Sequence, residues 1–513
     1  MFKRRPHLTK FQAALNYENN IIKATKYFSK NSRLESNISN GFVAQMDRET
    51  VNKLKNDDDI ELVEKDSVVK ITDYKVLDLF ITQDTNKFQN DTYNTEKMVV
   101  QDQAPWGLSR ILGKSYLKSH KYIYPENAGK DVEVYVIDTG INILHPDFGG
   151  RARWGANMVE SSVDKDENGH GTHVAGIIGG SKYGISKSTN LVAVKVLDSN
   201  GVGMVSRILK GIDFVITEHE KKKDVLYDLA SAKYLGNKYK KNLEQSLTDF
   251  INDSDLLPKT VVNMSVGGAK SMALNFALDY ASSLGIHFAV AAGNDHENAC
   301  SYSPGSSKHA ITIGASDIYD TTADFSNYGS CVDIFAPGVD ILSAWNDDKF
   351  KIASGTSMAS PHVAGVMSLY LGFKRYTPEK LKNKILSDSK HVIEFKEHND
   401  SVFRVLWPLN WFNKEEKLPL VSINNFIKKL IDNKKTTETY VVLFKRKPLI
   451  SDLQAALNYE NNVVRTSKYF TPQSSIKSNI NNGYIAELDE ETVDKLQKDD
   501  EVEIVEKDSK KKI

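Results

Sequence analysis

Apolar positions along this chain follow different patterns in its middle and at its ends. Across residues 101–408, β-rich apolar runs such as Val132–Asp138 (VEVYVID) alternate with helical stretches. A mainly apolar run of that kind predicts a buried strand, and strand–helix alternation predicts an α/β domain built on a parallel sheet. Near the carboxy end, Tyr440–Phe444 (YVVLF) predicts a strand and Leu453–Tyr469 an amphipathic helix. Asn482–Leu488 (NGYIAEL) alternates as a strand after an Asn-Gly turn. Asp489–Leu496 predicts a second helix opened by an acidic cap, and Val502–Val505 a last strand. Together these make a small α+β module.

That module occurs twice. FKRRPHLTKFQAALNYENNIIKATKYF (Phe2–Phe28) returns as FKRKPLISDLQAALNYENNVVRTSKYF (Phe444–Phe470), and a constant offset carries the repeat on until Ile71 stands opposite Ile513. Copies this far apart are two separate domains, not a stacked solenoid. The first copy begins at the counterpart of Leu443 and so lacks most of the opening strand; more chain, including a signal peptide, is expected ahead of it. The expected organisation is a module over 1–71, a polar Asp/Thr/Asn-rich linker over 72–100 and the central domain over 101–408. A second connector over 409–438 and the second module over 439–513 follow. Within the central domain, the lysine-rich, helical stretch Glu218–Lys259 reads as a surface insertion.

Bulk properties narrow the partners. A chain of 513 residues exceeds one compact core. Its 67 basic and 67 acidic residues cancel, which argues against a nucleic-acid partner or a polybasic membrane contact. No run of about 18 apolar residues is present to span a bilayer. The opening MFKRRPHLTK is charged but is not followed by an apolar signal core. Two cysteines allow at most one intramolecular bridge, and two buried thiols are equally open.

Three segments carry the chemistry. VEVYVIDTG ends a buried strand at Asp138, where a carboxylate can orient a histidine; an isolated Asp-Thr-Gly would be only a turn. In Asn168–Gly176 (NGHGTHVAG), glycines let a helix amino terminus pack closely while His170 projects as a base. Metal ligation by His170 and His173 is the alternative, but the HExxH glutamate and a nearby third ligand are missing, and His173 reads as a packed helix residue. In Gly355–Gly365 (GTSMASPHVAG), Ser357 opens a small-residue helix; alone it would be a helix cap. The order Asp, His, Ser is one of the known orders of a Ser-His-Asp triad.

Residues about 104–372 resemble the subtilase family, and within it the proteinase K-like branch. APWGLSRI, VYVIDTG, NGHGTHVAG, VAVKVLDSNG, VNMSVGG, VAAGN, FSNYGSCVDIFAPG and SGTSMASPHVAG stand in family order. The resemblance implies a subtilisin-like serine endopeptidase in which Asp138 orients, His170 is base then acid, and Ser357 is the nucleophile. Asn294 would be the oxyanion donor, joined by the backbone N–H of Ser357; loss of such a donor costs ~10²–10³ in turnover. Ser265, Val266, Gly267 and Gly268 would line one wall of the substrate cleft, with Ala291, Ala292 and Gly293 as the other wall of the S1 pocket. Gly201, Val202 and Gly203 would form the facing edge strand. Glycine and alanine walls imply an apolar-leaning P1, and these segments hold no acid to select a basic one.

The resemblance further implies a Cys300–Cys331 bridge and no cofactor for the chemistry. It also offers a structural calcium on Asp333, completed by carbonyls near Lys308 and Ala310. The repeated module resembles the family's propeptide inhibitor, a ferredoxin-like α+β domain that blocks the cleft. A zymogen is therefore expected, acting on proteins or peptides, held by its own modules in cis, monomeric, and extracellular or vacuolar. A second inhibitor copy after the protease departs from the family's pattern. The rival reading is an inhibitor or interaction protein carrying a silenced protease, and the intact triad motifs weigh against it.

Overall fold

The structure is a computed structural model that describes residues 20–38, 41–71, 75–77, 98–113, 120–160, 162–235, 258–394, 417–432, 438–444, 466, 469, 475–480, 483–488, 490–499 and 502–507. It forms two units, Met1–Asn424 and Asn425–Ile513.

The first unit opens with the antiparallel strands β1 (Arg33–Ile38) and β2 (Gly41–Gln45) and the helix α1 (Arg48–Lys55). Asp47 caps α1 by accepting from the Thr50 N–H, while Glu49 in its first turn and Lys53 and Lys55 in its last complement the helix dipole. Ala24 and Leu54 form a small core under Phe42 and Ile60. The module's tail then forms β3 (Val68–Lys70).

The central strands follow in chain order: β4 (Lys75–Leu77), β5 (Met98–Gln101), β6 (Tyr122–Pro125), β7 (Val132–Asp138), β8 (Ala152–Asn157), β9 (Asn190–Lys195) and β10 (Val202–Met204). Next come β11 (Lys259–Met264), β12 (Gly267–Ala269), β13 (His287–Ala291), β14 (Tyr302–Ser303), β15 (Ile311–Ser316) and β16 (Ile334–Pro337). The last are β17 (Ile341–Ala344), β18 (Phe350–Ser354), β19 (Lys390–Ile393) and β20 (Leu418–Leu420). The helices that matter here are α2 (His170–Gly179), α3 (Val205–Leu235), α4 (Met272–Ser283), α5 (Thr356–Phe373) and α6 (Pro378–Asp388).

One sheet of order β19-β20-β16-β15-β13-β11-β7-β9-β8 organises the domain, and all its neighbours are parallel except β19 and β20. Val132, Val134, Tyr135, Val136 and Ile137 of β7 are fully buried because helices cover both faces. Tyr135 and Ile137 join Val192, Val194 and Val262 in a core with Ile208 and Ile212 of α3 and Leu274 and Leu278 of α4. Alternation turns Val134 and Val136 to the other face; α5 packs against β7, β11, β13 and β15, and α2 packs against α5. Each such aliphatic side chain contributes about 1.5–3 kcal/mol by leaving water. The α/β class and parallel sheet expected from the sequence are thus present. After β7 the chain builds β8 and β9 on one side and then crosses to β11 on the other. That reversal opens a crevice at the carboxyl ends of β7 and β11, where doubly wound sheets carry their sites.

Three boundaries differ from the sequence reading. The connector assigned to 409–438 contains β20, which joins the main sheet, and Leu420, Val421 and Ile423 are fully buried. The Ile423 N–H donates to the Ile111 carbonyl at 2.9 Å. Three apolar side chains pull this segment into the core despite its charged flanks. The linker assigned to 72–100 includes β4, the third strand beside β17 and β18, and most of β5, which pairs with β6. Finally, Glu218–Lys259 is not a surface insertion from its first residue. Glu218–Leu235 continues α3, His219 is buried against Thr260 at 2.8 Å, Lys222 pairs with Glu133, and Lys259 opens β11. Residues 236–257 lie outside the described residues.

The second unit holds an antiparallel sheet of order β22-β23-β21-β24, from β21 (Glu438–Phe444), β22 (Ser475–Ile480), β23 (Gly483–Leu488) and β24 (Val502–Lys507). Helix α7 (Glu490–Gln497) supplies Val493 and Leu496 to a core with Tyr484, Ala486, Leu488 and Val502. The two copies repeat more than sequence. Tyr27 donates to Asp57 at 2.8 Å and Tyr469 to Asp499 at 2.9 Å, while Thr50 and Thr492 donate to the carbonyls of those tyrosines, each at 3.2 Å. Where the first copy packs Phe42 against Ala24, the second has Tyr484 bonded to Thr466 at 3.2 Å. The expected helix over Leu453–Tyr469 and the chain end at Ile513 lie outside the described residues, apart from Thr466 and Tyr469. Among the described residues no helix is long and apolar enough to cross a membrane.

Candidate active site

Asp138 is the last residue of β7 and is fully buried. Its Oδ1 accepts from His170 Nδ1 at 2.7 Å and from the Thr139 N–H at 2.7 Å. His170 is the first residue of α2, which starts unusually close to the sheet. A Cβ on Gly171 would fall 2.1 Å from the Gly140 carbonyl, and one on Gly169, at φ 108°, would strike the Trp345 ring at 2.3 Å. Only glycine permits that approach.

A residue that sequence reading did not single out sets this geometry. Asp166 is fully buried and accepts from Thr139 Oγ1 (2.9 Å) and from the N–H groups of Asn168 (3.1 Å), Gly169 (2.8 Å) and Thr172 (3.0 Å), with Thr172 Oγ1 at 2.6 Å. Asp166 thus takes the Thr172 donor of the first turn of α2, Asn168 Oδ1 takes that of His170 (3.1 Å) and Thr139 Oγ1 that of Gly171 (3.0 Å), and together they tie this end of the helix to β7. The available signal was an acid just ahead of a helix start. Lys195, fully buried at the end of β9, donates to the Thr139 carbonyl at 2.8 Å. Burial pushes its ammonium down, against the pull of Asp166, Glu167 and Asp138.

Ser357 sits in the first turn of α5, at the carboxyl end of the neighbouring strand β11. Its Oγ lies 3.2 Å from the Ser265 carbonyl, and Ser265 Oγ donates to the Ser357 carbonyl at 2.8 Å. Pro361 makes the second bond available: four residues on, it has no N–H to claim that carbonyl. His170 and Ser357 are therefore carried by two packed helices whose amino ends meet the ends of adjacent strands. Asn294 Oδ1 accepts from the Thr356 N–H at 2.9 Å and Thr356 Oγ1 at 2.7 Å, fixing the amide beside Ser357. Asn327, buried and also unassigned from sequence, holds the Asn294 loop through Ala292 O (3.0 Å) and the N–H groups of Asp295 (3.0 Å) and Glu297 (2.8 Å).

The cleft is filled by the chain itself. Strand β3 lies between β10 and β12, antiparallel to both: Lys70 pairs with Val202 and Gly267, Val69 with Gly203 and Gly268, and Val68 with Met204. The Ile71 N–H donates to the Gly201 carbonyl at 2.9 Å, and a Cβ on Gly201 would meet Ile71 at 2.4 Å. Val69 is 1% exposed. Glu64 accepts from the Met272 N–H (2.9 Å) and Ala273 N–H (3.2 Å) at the start of α4, and Asp66 from the Ser206 N–H (3.0 Å) at the start of α3. Two carboxylates of the module thus cap two helices of the protease. Ala291, Ala292 and Gly293 line a pocket with Lys70, Gly267 and Gly268; Asp295 also lines it, an acid that lies outside the segments read as cleft walls.

Cys300 and Cys331 form a disulfide. His173 is buried, its Nε2 3.0 Å from the carbonyls of Ile341 and Lys351, a packed residue as expected. The calcium expectation fails on the chemistry of its donor set. Asp333 and the carbonyls of Lys308 and Ala310 do converge, but on the ammonium of Lys382.

Among the described residues, burial holds the imidazoles of His173, His219, His287 and His362 toward the neutral form. Burial pushes His173 and His287 down to about 3, and His219 and His362 down to about 4. Unfolded chains protonate these rings near pH 6.5, so the unfolded state binds more protons below that value. The contribution of these rings to stability is therefore full above about pH 6.5 and is lost progressively as pH drops toward 4. The Ser357→Ala protein should show a melting temperature that declines steadily from pH 6.5 to 4.5; a flat profile there would contradict this account.

A parallel-sheet domain with a serine, a histidine and an aspartate at its switch point, and an inhibitor strand in its cleft, defines the class: a subtilisin-like serine endopeptidase with inhibitor modules. The Subtilase family matches residues 129–404 and Peptidase inhibitor I9 matches 19–72 and 439–513. The chain belongs to the subtilase family. It is 45% identical to subtilisin-like proteinase 1 of Encephalitozoon cuniculi, over 84% of this chain and 94% of that protein. It is 41% identical to subtilisin-like protease CPC735_031240 of Coccidioides posadasii (65% and 59% covered) and 39% identical to cerevisin of Saccharomyces cerevisiae (70% and 51%). The chain thus spans nearly all of the first relative but only half to three-fifths of the other two. A crystal structure of a cold adapted subtilisin-like serine proteinase aligns at TM-score 0.48 and 35% identity, covering 63% of this chain and 98% of that one.

Proposed function

We propose that Asp138, His170 and Ser357 form the catalytic triad of an endopeptidase with an apolar-leaning P1 preference. The carrying observation is the peptide strand β3 held between β10 and β12, next to Ser265, whose side chain and carbonyl both bond to Ser357. A substrate strand in that position gains most of its binding from backbone pairing, which tolerates many sequences. Ser357 Oγ attacks the scissile carbonyl and His170 Nε2 takes its proton. Asp138 keeps the other ring nitrogen protonated, and His170 then delivers the proton to the departing amine. With its Oδ1 held by Thr356, Asn294 can donate through Nδ2 to the oxyanion, beside the Ser357 N–H. No cofactor enters these steps. The Cys300–Cys331 bridge favours an oxidising compartment, secreted or vacuolar.

A peptide series differing only at P1 tests the specificity. Phenylalanine or leucine should exceed arginine in kcat/KM by about 10-fold or more, and aspartate should be slowest because Asp295 lines the pocket. Arginine as the fastest substrate would overturn the apolar assignment.

A further inference from the structure

We infer that Lys382 is the resident cation of the site formed by Asp333 and the carbonyls of Lys308 and Ala310, so that calcium neither binds nor stabilises the protein there. The Lys382 Nζ lies 2.8 Å from Asp333 Oδ1, 2.9 Å from Asp333 Oδ2, 2.8 Å from the Ala310 carbonyl and 3.3 Å from the Lys308 carbonyl. These are hydrogen-bond distances, and an ammonium has three protons to distribute among such acceptors. A calcium ion would need the same oxygens at about 2.3–2.6 Å and more ligands besides. It would then occupy the volume of the Nζ itself, against the repulsion of a positive charge. The charge count agrees: one carboxylate neutralises one ammonium and leaves a dication half compensated.

The site is built, not a chance surface pairing. Both side chains are 20% exposed, and Lys382 reaches it from α6 while its acceptors stand at the starts of β15 and β16. Burial pushes the Asp333 carboxyl up, opposed first by the charge of Lys382. Asp333 also accepts from the Thr312 N–H at 2.9 Å, and Thr312 Oγ1 donates to the Gly305 carbonyl at 3.0 Å. Gly305 lines the cleft pocket with Ala291–Gly293. The ammonium therefore fastens a helix to the strands that carry one wall of the cleft, the task a structural ion would otherwise perform.

The test measures melting temperatures of the full chain in EDTA and in millimolar calcium, in the Ser357→Ala background so that autolysis does not enter. The parent is expected to melt alike in both. Lys382→Met keeps the apolar stem but removes the charge; it should lose roughly 5 °C in EDTA and regain part of it in calcium. Lys382→Arg, which keeps a cation, should gain nothing from calcium. The inference is overturned if calcium raises the parent's melting temperature and Asp333→Asn abolishes that rise. It is equally overturned if Lys382→Met melts with the parent in EDTA.

Discussion

Replacing Ser357 by alanine is expected to lower kcat about 10⁶-fold while leaving the fold intact. The reasons lie in what surrounds the side chain. Ser357 is fully buried in the first turn of α5, and its backbone carbonyl, not its hydroxyl, receives the Ser265 hydrogen bond. Alanine removes the nucleophile and its 3.2 Å contact to the Ser265 carbonyl, while the Ser265 hydrogen bond to the Ser357 carbonyl is kept. His170→Ala should cost nearly as much, since serine and base act as a unit, and Asp138→Asn about 10⁴-fold through the wrong imidazole tautomer. Assay of an apolar-P1 peptide measures the loss, and a gel should show that the Ser357→Ala chain stays full length. Ordinary turnover by that variant would remove the triad assignment.

The second large effect concerns the two modules. Residues 438–513, expressed alone, should inhibit the mature protease, but about 10–100-fold more weakly than the first copy. In the first copy, Glu64 and Asp66 cap α4 and α3, and Val69 is buried in the cleft. The repeat preserves the two carboxylates as Glu506 and Asp508 but puts Lys511 opposite Val69. Losing a buried valine forfeits about 1.5–3 kcal/mol, which sets the expected ratio. Inhibition constants for each module measure it, and Lys511→Val should recover much of the difference. Equal potency would show that the tail adds nothing. No inhibition at high micromolar concentration would show that the two carboxylates alone do not dock the module.

The proposed triad could be picked out in the sequence because its members sit in short motifs whose glycines and small residues have a local cause. Gly169 and Gly171 exist for close approach, and that need is written beside His170. The parallel sheet was legible for the same reason: VEVYVID is apolar at five of its seven positions, on both faces, because both faces are covered. What stayed hidden depended on distant partners. Lys382 stands 49 residues from Asp333, and only the landing of α6 makes it the cation of that site. Asp166 looked like one more acid in an acidic stretch until its five donors were assembled around it. The 409–438 connector was misread because lysines and glutamates flank a short buried strand and outweigh it in any composition window.

The seating of Val68–Lys70 in the cleft has a consequence for how such an enzyme is switched. While blocker and cleft belong to one chain, the blocker's effective concentration is fixed by the tether, on the order of millimolar, and dilution does not change it. Silence is then independent of how much protein a cell makes. Once the tether is cut, the same contacts become an ordinary bimolecular equilibrium, and the fraction of open clefts rises with the volume into which the two pieces are released. Cleavage by itself would liberate little activity in a crowded vesicle; the dilution that follows would liberate the rest.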